Sequence, residues 1–404
     1  GNITVGENGI GLYTRNNPAA VVNKGNITGT GKGAVGLFVD NGVVENNLGT
    51  TITMTGDDSI GMVANKNGTI INNGNIIMSG NNVSGMFANI NSKAINKKIL
   101  EVHKNNPIQI IESPELGFAF ISKIRKIKYV IRLHGGHHFF AESEKRKINK
   151  WKGFQEKKSF KKADAFIAVS QYVKIHTAKY LSYNGKPIAD ICNPINSVFL
   201  KSELQSKCEI APENRIVFVG TVCEKKGIRQ LVQAFSFVKK QFPNATLEIY
   251  GRDWFFFDGS SYIEMLKLKE LPKLGAFAND INFHGAIPFI DIPDAYATAS
   301  VCVFPSHMET QGLVAPEAMA MGKTVVFTKL GPGPETIVDY ETGLLCNPFD
   351  PDDIAKKIVW VLSNKEKAKK IGEMGRKFVV DKLDLQKIVN QNYDFFQSIM
   401  FEKE

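Results

Sequence analysis

Four times within its first 96 residues the chain returns to one short phrase: Gly1-Asn-Ile-Thr, Gly25-Asn-Ile-Thr, Gly49-Thr-Thr-Ile and Gly74-Asn-Ile-Ile, 24 or 25 residues apart. A second beat falls inside each unit: Ile10-Gly-Leu-Tyr, Val35-Gly-Leu-Phe, Ile60-Gly-Met-Val and Ser84-Gly-Met-Phe. A fixed period of this size, carried by short apolar runs between Gly and Asn turns, predicts stacked strand-and-turn coils. Each coil would turn Ile, Val, Leu, Met and Phe inward. Asn and Gly would take the corners, where positive φ is needed. Residues 1–96 hold 17 of the 35 glycines, and their five basic and five acidic residues cancel. No catalytic constellation stands among them.

These repeats resemble the β-solenoid passengers of bacterial autotransporter adhesins, so an N-terminal Gly/Asn-rich β-solenoid is expected over 1–96, with no obvious cap. Near Asn96 the pattern changes to strands alternating with amphipathic helices. Candidate strands are Ile108–Glu112, Tyr129–Leu133, Ala165–Val169, Ile216–Val219, Thr246–Tyr250, Val301–Phe304 and Thr324–Thr328. Each is a short run rich in β-branched or aromatic residues, as strands buried on both faces should be. Between them, Ile228, Leu231, Val232, Phe235 and Val238 follow helical spacing, as do Ile354, Ile358, Val361 and Leu362. Strand alternating with helix predicts parallel sheets in doubly wound α/β domains, with a polar break near 197–214 separating two of them.

Cys192, Cys208, Cys223, Cys302 and Cys346 form no CxxC pair and have no His at metal-ligand spacing, so reduced structural thiols are expected. No run approaches the ~18 apolar residues of a membrane-spanning helix, and no secretory leader is read at the start. A cytoplasmic location is therefore expected, with peripheral attachment at the inner membrane face as an option. The net charge of +10 lies wholly beyond residue 96. It is densest over 123–162, where fourteen Lys or Arg face only Glu142, Glu144 and Glu156. Such a stretch attracts anionic lipid head groups, acidic glycans or nucleic acid. Nucleic acid is not expected, because aromatics are not interleaved there as stacking platforms.

The strongest chemical signal runs from Phe304-Pro-Ser-His-Met-Glu309 through Thr-Gln-Gly312-Leu-Val-Ala-Pro-Glu317 to Gly322. Glu309 follows a strand end, and Glu317 falls in the first turn of the next helix. Crevices beyond the carboxyl ends of parallel strands are where such folds bind ligands. A helix start there suits a phosphate, and a carboxylate beside it can accept paired hydrogen bonds from a ribose diol. A second signal is Val217-Phe-Val-Gly220-Thr-Val-Cys-Glu-Lys-Lys226-Gly227, a strand entering a Gly turn and then a helix with Lys at its start. A Lys in that place can neutralise a leaving diphosphate.

Here the chain resembles glycosyltransferase family 4 of the group 1 type, retaining enzymes of the GT-B fold, whose signature is two Glu separated by seven residues. The resemblance implies two Rossmann-like domains and a nucleoside-diphosphate-sugar donor, with no metal. It places the donor ribose on Glu317. Glu309 would stand near the donor sugar, stabilising positive charge at its anomeric carbon. The amides of Gly312, Leu313 and Val314 would meet sugar or phosphate oxygens, with Gly220 and Lys226 at the diphosphate. The family commonly has Arg after the first Gly; here it is Thr221, with Lys225 as a substitute cation. Arg132-Leu-His134-Gly-Gly-His137-His138 resembles the family's His-Gly segment and makes His134 the second catalytic candidate. Gly331-Pro-Gly-Pro-Glu335 fits the loop that closes over the donor.

The same resemblance starts only near Lys97, so the first domain is expected to lack its opening strands. That gives 1–96 as repeats, 97–200 as a partial acceptor domain, 201–383 as the nucleotide-sugar domain and 384–404 as a helix crossing back. Transfer to a saccharide or lipid-linked acceptor is the function this implies, with the missing strands or the fusion putting the activity of this chain itself in doubt. A surface adhesin, in which the repeats are the working part, is the rival.

Overall fold

The computed structural model describes residues 1–79, 84–89, 92–200, 213–256 and 258–401. They fall into two compact units, residues 1–108 with 120–122, and residues 109–119 with 123–404. The domain break expected near 197–214 lies mostly outside the described residues, as does Cys208.

In the first unit the strands are β1 Ile3–Val5, β2 Ile10–Asn23, β3 Ile27–Gly29, β4 Val35–Asn46, β5 Thr51–Met54, β6 Ile60–Asn72, β7 Asn75–Met78 and β8 Ser84–Asn89; helix α1 Ser92–Asn105 follows. Odd-numbered strands make one parallel sheet in the order β1-β3-β5-β7, and even-numbered strands make another, β2-β4-β6-β8. Ile3 pairs with Ile27 and Ile27 with Ile52; Leu12 pairs with Leu37 and Leu37 with Met62. Each step joins residues one repeat apart, so the chain makes one coil per repeat. Ile27, Leu37, Val44, Ile52, Met54 and Met62 are fully buried in the core of this unit. The asparagines do more than turn corners. Asn23 donates to Asn46 at 2.8 Å and Asn46 to Asn72 at 2.8 Å, a ladder of side-chain amides that satisfies buried polar groups from coil to coil.

The second unit opens with β9 Ile110–Ser113, β10 Lys128–Leu133, α2 His137–Ser143, α3 Lys150–Lys162, β11 Ala165–Ala168, α4 Gln171–Ala178 and β12 Ile188–Asp190. Its four strands are parallel, in the order β12-β11-β10-β9. There follow β13 Arg215–Val219, α5 Ile228–Gln241, β14 Thr246–Tyr250, α6 Tyr262–Lys269, β15 Ile281–Gly285, α7 Ile292–Ala297, β16 Val301–Phe304, α8 Val314–Ala320, β17 Val325–Thr328, α9 Gly333–Thr336, β18 Leu344–Cys346, α10 Pro351–Ser363, α11 Lys365–Lys382 and α12 Leu385–Phe401. Six of these strands form a parallel sheet in the order β15-β14-β13-β16-β17-β18. All seven strands expected from composition are found, shifted by at most two residues at either end. Strand β12, three residues long, is too short to stand out by composition.

Strands β16 and β17 are buried at every position, which is why they read as unbroken apolar runs. Helix α5 turns Leu231, Val232, Phe235 and Val238 into the core beneath this sheet. Asp350 caps α10 by accepting from the backbone N–H of Asp352 at 3.0 Å. Cys223, Cys302 and Cys346 are buried free thiols and Cys192 is half-buried. Helix α12 places Ile388 and Ile399 against Val130, Ala165, Ile167 and Ile191, so the end of the chain packs on the four-stranded sheet. Among the described residues no helix is long and apolar enough to cross a membrane.

Strand order locates the site. In the six-stranded sheet the chain builds outward from β13 to β14 and β15, then returns to the other side of β13 with β16. The chain therefore runs from β13 and from β16 toward opposite sides of the sheet, and the carboxyl ends of these two strands are where a ligand crevice is expected. The four-stranded sheet runs in one direction throughout and has no such reversal among the described residues.

Candidate active site

Two loops leave the switch point. After β13 the chain passes Gly220 (φ 149°) alongside Gly251; a Cβ on Gly251 would lie 1.8 Å from the Gly220 carbonyl oxygen. Only glycine permits that approach. A single 3-10 turn, Glu224–Lys226, ends at Gly227 (φ 70°), and α5 begins. After β16 comes the Glu309 loop. The two loops meet at Lys226, whose ammonium lies 2.5 Å from Glu309 Oε1, and where His307 N–H donates to the Lys225 carbonyl at 2.8 Å. Glu309 is only 9% exposed, so this is a charge-assisted pair in a largely dry setting.

Residues from the four-stranded half hold the Glu309 loop in place. Ser170 Oγ donates to the Thr310 carbonyl at 2.5 Å. Gln311 and Asn193 exchange three hydrogen bonds of 2.8–3.0 Å. Gly135 (φ 93°) lies so close that a Cβ there would sit 2.7 Å from Thr310 Cγ2. The Glu335 carboxylate accepts from the N–H groups of Gln171 and Tyr172 at 2.9 and 2.7 Å, at the start of α4. Gly312 (φ 74°) then turns the chain through Leu313 into α8. Glu317 stands in that helix's first turn, where burial pushes its carboxyl up to about 7.

His134 follows β10 and is exposed. Crowding around its ring, and then the Arg132 guanidinium, lower its pKa below the ordinary histidine value. His137 and His138, expected in a Gly turn, instead open α2 and are buried. The reason is Glu156. This carboxylate, 1% exposed, accepts from the N–H of His137, from the N–H of His138 at 3.3 Å and from His138 Nδ1 at 3.1 Å. Glu115, 2% exposed, lies beside the backbone N–H groups of His134 and Gly135, which act to lower its pKa, while its Oε1 has no hydrogen-bond partner. Glu156 thus cradles the backbone that follows His134, with the buried Glu115 carboxyl beside it.

Burial is the largest influence on Glu115, with the Glu156 charge adding to it, and together they push its carboxyl up to about 7. Its proton is held more tightly in the folded than in the unfolded chain. Stability should therefore fall as pH rises from about 4.5 through 7 and stay low above that, by at most roughly 3 kcal/mol from this group. Glu115→Gln should flatten part of that fall, melting closer to the parent at pH 5 and above it at pH 8. Parallel melting curves at both pH values would refute the assignment.

A cleft of about 1010 Å³ opens between the two halves, walled in part by Tyr172, Lys225, Arg229, Trp254 and Phe349. It borders the Lys226–Glu309 pair through Lys225 and Met308, but Gly220, Lys226, Glu309, Gly312, Leu313, Val314 and Glu317 do not line it. Lys226 and Glu309 instead satisfy each other. Lys225, considered as a substitute for the Arg absent at Thr221, has its ammonium 5.0 Å from the Phe140 ring centre. Among the described residues no three His, Cys, Asp or Glu converge as a metal set. Sequence reasoning missed Glu156, Asn193 and Ser170, whose part in the site depends on contacts between distant segments.

Two family models match, Glycosyltransferase Family 4 over residues 84–198 and Glycosyl transferases group 1 over residues 201–378. An uncharacterized glycosyltransferase of Methanocaldococcus jannaschii is 27% identical over 72% of this chain and 74% of its own length. The chain spans only about half the length of several other curated relatives. Sucrose-phosphate synthase from Thermosynechococcus elongatus superposes with a TM-score of 0.66 at 23% identity, covering 77% of this chain and 78% of that one. HepE of Anabaena, solved in complex with UDP, superposes at 0.64 with 18% identity over 86% and 92%. These likenesses share the GT-B arrangement of two Rossmann-like domains. The paired glutamates and the switch-point lysine fall within the spans that the two family models match, the first of which begins in the repeat unit at β8, and the chain is a glycosyltransferase of the group 1, family 4 type.

Proposed function

We propose that the chain transfers a sugar from a nucleoside diphosphate to a hydroxyl of a saccharide or lipid-linked acceptor, with retention at the anomeric carbon. The observation that carries the site assignment is the Lys226–Glu309 contact at the switch point, on the loop that leads into α8, whose first turn bears the half-buried Glu317. The donor diphosphate would take Lys226 from Glu309, assisted by the Gly220 turn and the amides of Gly312, Leu313 and Val314. Glu309, so released, would face the anomeric carbon as positive charge develops there, with His134 closing the other side. The ribose diol would hydrogen-bond to Glu317. UDP is the nucleotide we put forward first, since a structural relative is solved with it. Donor binding, which uses the six-stranded half, is proposed to survive the short four-stranded sheet before it. Acceptor binding is the step that sheet would limit.

A thermal-shift titration with UDP, GDP and ADP tests this. A ligand that binds only the folded state at a hundredfold excess over Kd adds roughly 2.7 kcal/mol to apparent stability. One nucleotide should raise the melting temperature, and Glu317→Ala should abolish the rise. With its carboxyl raised to about 7, Glu317 is mostly protonated at pH 6 and mostly ionised at pH 8. Because a diol donates best to the ionised form, affinity should strengthen by up to about tenfold over that interval and be flat in Glu317→Gln. A cooperative melt that no nucleotide shifts would sink the reading.

A further inference from the structure

The loop between β14 and α6 sets aromatic rings in water and holds them there. Trp254, Phe255 and Phe256 follow one another and are 45%, 43% and 41% exposed. The backbone beneath them is pinned. The Phe256 N–H donates to the Ser260 carbonyl at 2.9 Å, the Tyr262 N–H to the Trp254 carbonyl at 2.8 Å, and the Ile263 N–H to Asp253 Oδ1 at 3.0 Å. Side chains alternate along an extended segment. Trp254 and Phe256 accordingly line the cleft of about 1010 Å³, and Phe255 does not. Phe256 also packs on Tyr262, with ring centres 5.8 Å apart. Phe349, 54% exposed, lines the cleft from the segment after β18, its ring centre 4.3 Å from that of His307. Exposed apolar groups gathered at one groove mark a place where something binds.

The charged side chains of the cleft balance: Glu142, Glu144 and Glu224 stand against Lys145, Lys225 and Arg229. Glu224 takes two hydrogen bonds from Arg229, at 3.0 and 2.5 Å, and one from Tyr262 at 2.6 Å. Glu142, near the end of α2, accepts from the Tyr180 hydroxyl and lies 2.9 Å from His176 Nε2. Burial holds the His307 imidazole below its ordinary pKa, so it adds no charge at neutral pH. An anionic ligand therefore meets no surplus of cations here. We propose that this cleft binds a neutral saccharide as the acceptor, with sugar rings against Trp254, Phe256 and Phe349 and hydroxyls hydrogen-bonded to the charged groups between them. A sugar has an apolar C–H face and a hydroxyl rim, which aromatic rings beside a few polar groups match. Pockets for one small ligand span roughly 300–1,000 Å³, so this cleft has room for more than one sugar unit. It borders the Lys226–Glu309 pair through Lys225 and Met308, which puts an acceptor hydroxyl next to the proposed donor. A lipid-linked diphosphate fits less well, because its phosphates would meet a balanced set of charges. The proposal rests on the transferase reading only in calling the saccharide an acceptor.

The test is an array of neutral and acidic oligosaccharides, probed with the full chain with and without UDP, followed by calorimetric titration of the glycan that binds. The wild type should bind neutral glycans and leave oligogalacturonate and heparin fragments. Trp254→Ala and Phe256→Ala should each weaken binding about tenfold or more, and Trp254→Phe should keep most of it. Phe349→Ala tests a ring from a different element and should act like Trp254→Ala. These side chains are exposed, so unchanged melting temperatures and an unchanged UDP shift should confirm that the variants fold. Capture of acidic glycans alone, or of no glycan, would overturn the proposal. So would a double variant, Trp254→Ala with Phe256→Ala, that binds like the wild type. A nucleotide shift without saccharide binding would sink the cleft assignment and leave the donor site standing. Saccharide binding that Trp254→Ala abolishes, with no nucleotide shift, would sink the donor site and leave the cleft as a saccharide site.

Discussion

Lys226→Ala is expected to lower the rate of sugar transfer by two to three orders of magnitude. The chemistry places negative charge on a departing diphosphate, and a fixed cation aimed at that charge stabilises the transition state more than the bound substrate. Lys226 is the cation that the switch point supplies, on a 3-10 turn ended by a glycine in the left-handed region. Position 221, where a second cation would share the work, is a threonine. Lys225 is oriented toward the Phe140 ring. On the proposed reading Lys226 carries that role without a second cation at position 221, and removing one such group typically costs 10²–10³ in kcat. The contact with Glu309 adds a second effect. Without its partner the Glu309 carboxylate is left largely buried and uncompensated, which costs stability as well as rate. Lys226→Arg separates the two: it restores the charge and the pair, and should recover most of the melting temperature with part of the rate. Initial rates of nucleotide release from the sugar donor, read alongside melting curves, decide the matter. A folded Lys226→Ala enzyme within tenfold of the wild type would remove Lys226 from the chemistry.

The parts of this site that rest on local pattern could be read from the chain. Glu309 and Glu317 stand out because a strand, a turn and a helix must follow one another closely there, and the spacing of the two carboxylates survives any packing. Lys226 stands out because a strand, Gly220 and Gly227 bracket it. Strands such as β16 and β17 are buried on both faces and so are written as apolar runs. The repeats of the first unit are legible for a related reason: one coil pairs with the next, and the pairing partner of Ile27 is simply Ile52, one period later. What could not be read depends on contacts between segments far apart. Gln311 lies inside the strongest motif, yet its partner Asn193 is 118 residues away. Glu156 sits amid lysines in α3 and reads as one more solvated acid, although the fold buries it. Trp151 and Phe154 are the opposite case, aromatic residues that composition assigns to a core and the fold leaves outside.

Glu156 is where that hidden information has the largest consequence for stability. Replacing it by alanine should destabilise the second unit by about 3–5 kcal/mol, the cost of breaking a buried charged cluster by removing one partner. The N–H groups of His137 and His138 and the ring nitrogen of His138 would all lose their acceptor. Each buried donor left without a partner is expensive, and nothing exposed replaces the lost oxygens. For a unit of this size that corresponds to a fall of around 10 °C in melting temperature. Glu156→Gln should be milder, because one amide oxygen still accepts from one of the N–H groups, although the amide nitrogen then faces donors. The loop these groups hold also carries Gly135 against Thr310, beside Glu309. A folded Glu156→Gln enzyme should therefore lose transfer rate while keeping the nucleotide shift, since donor binding uses the other half of the unit. If Glu156→Gln keeps the full rate, the cradle is structural and the position of His134 does not depend on it. If it loses the nucleotide shift as well, the two halves are coupled through the Glu309 loop more tightly than the hydrogen bonds of Ser170 and Asn193 imply.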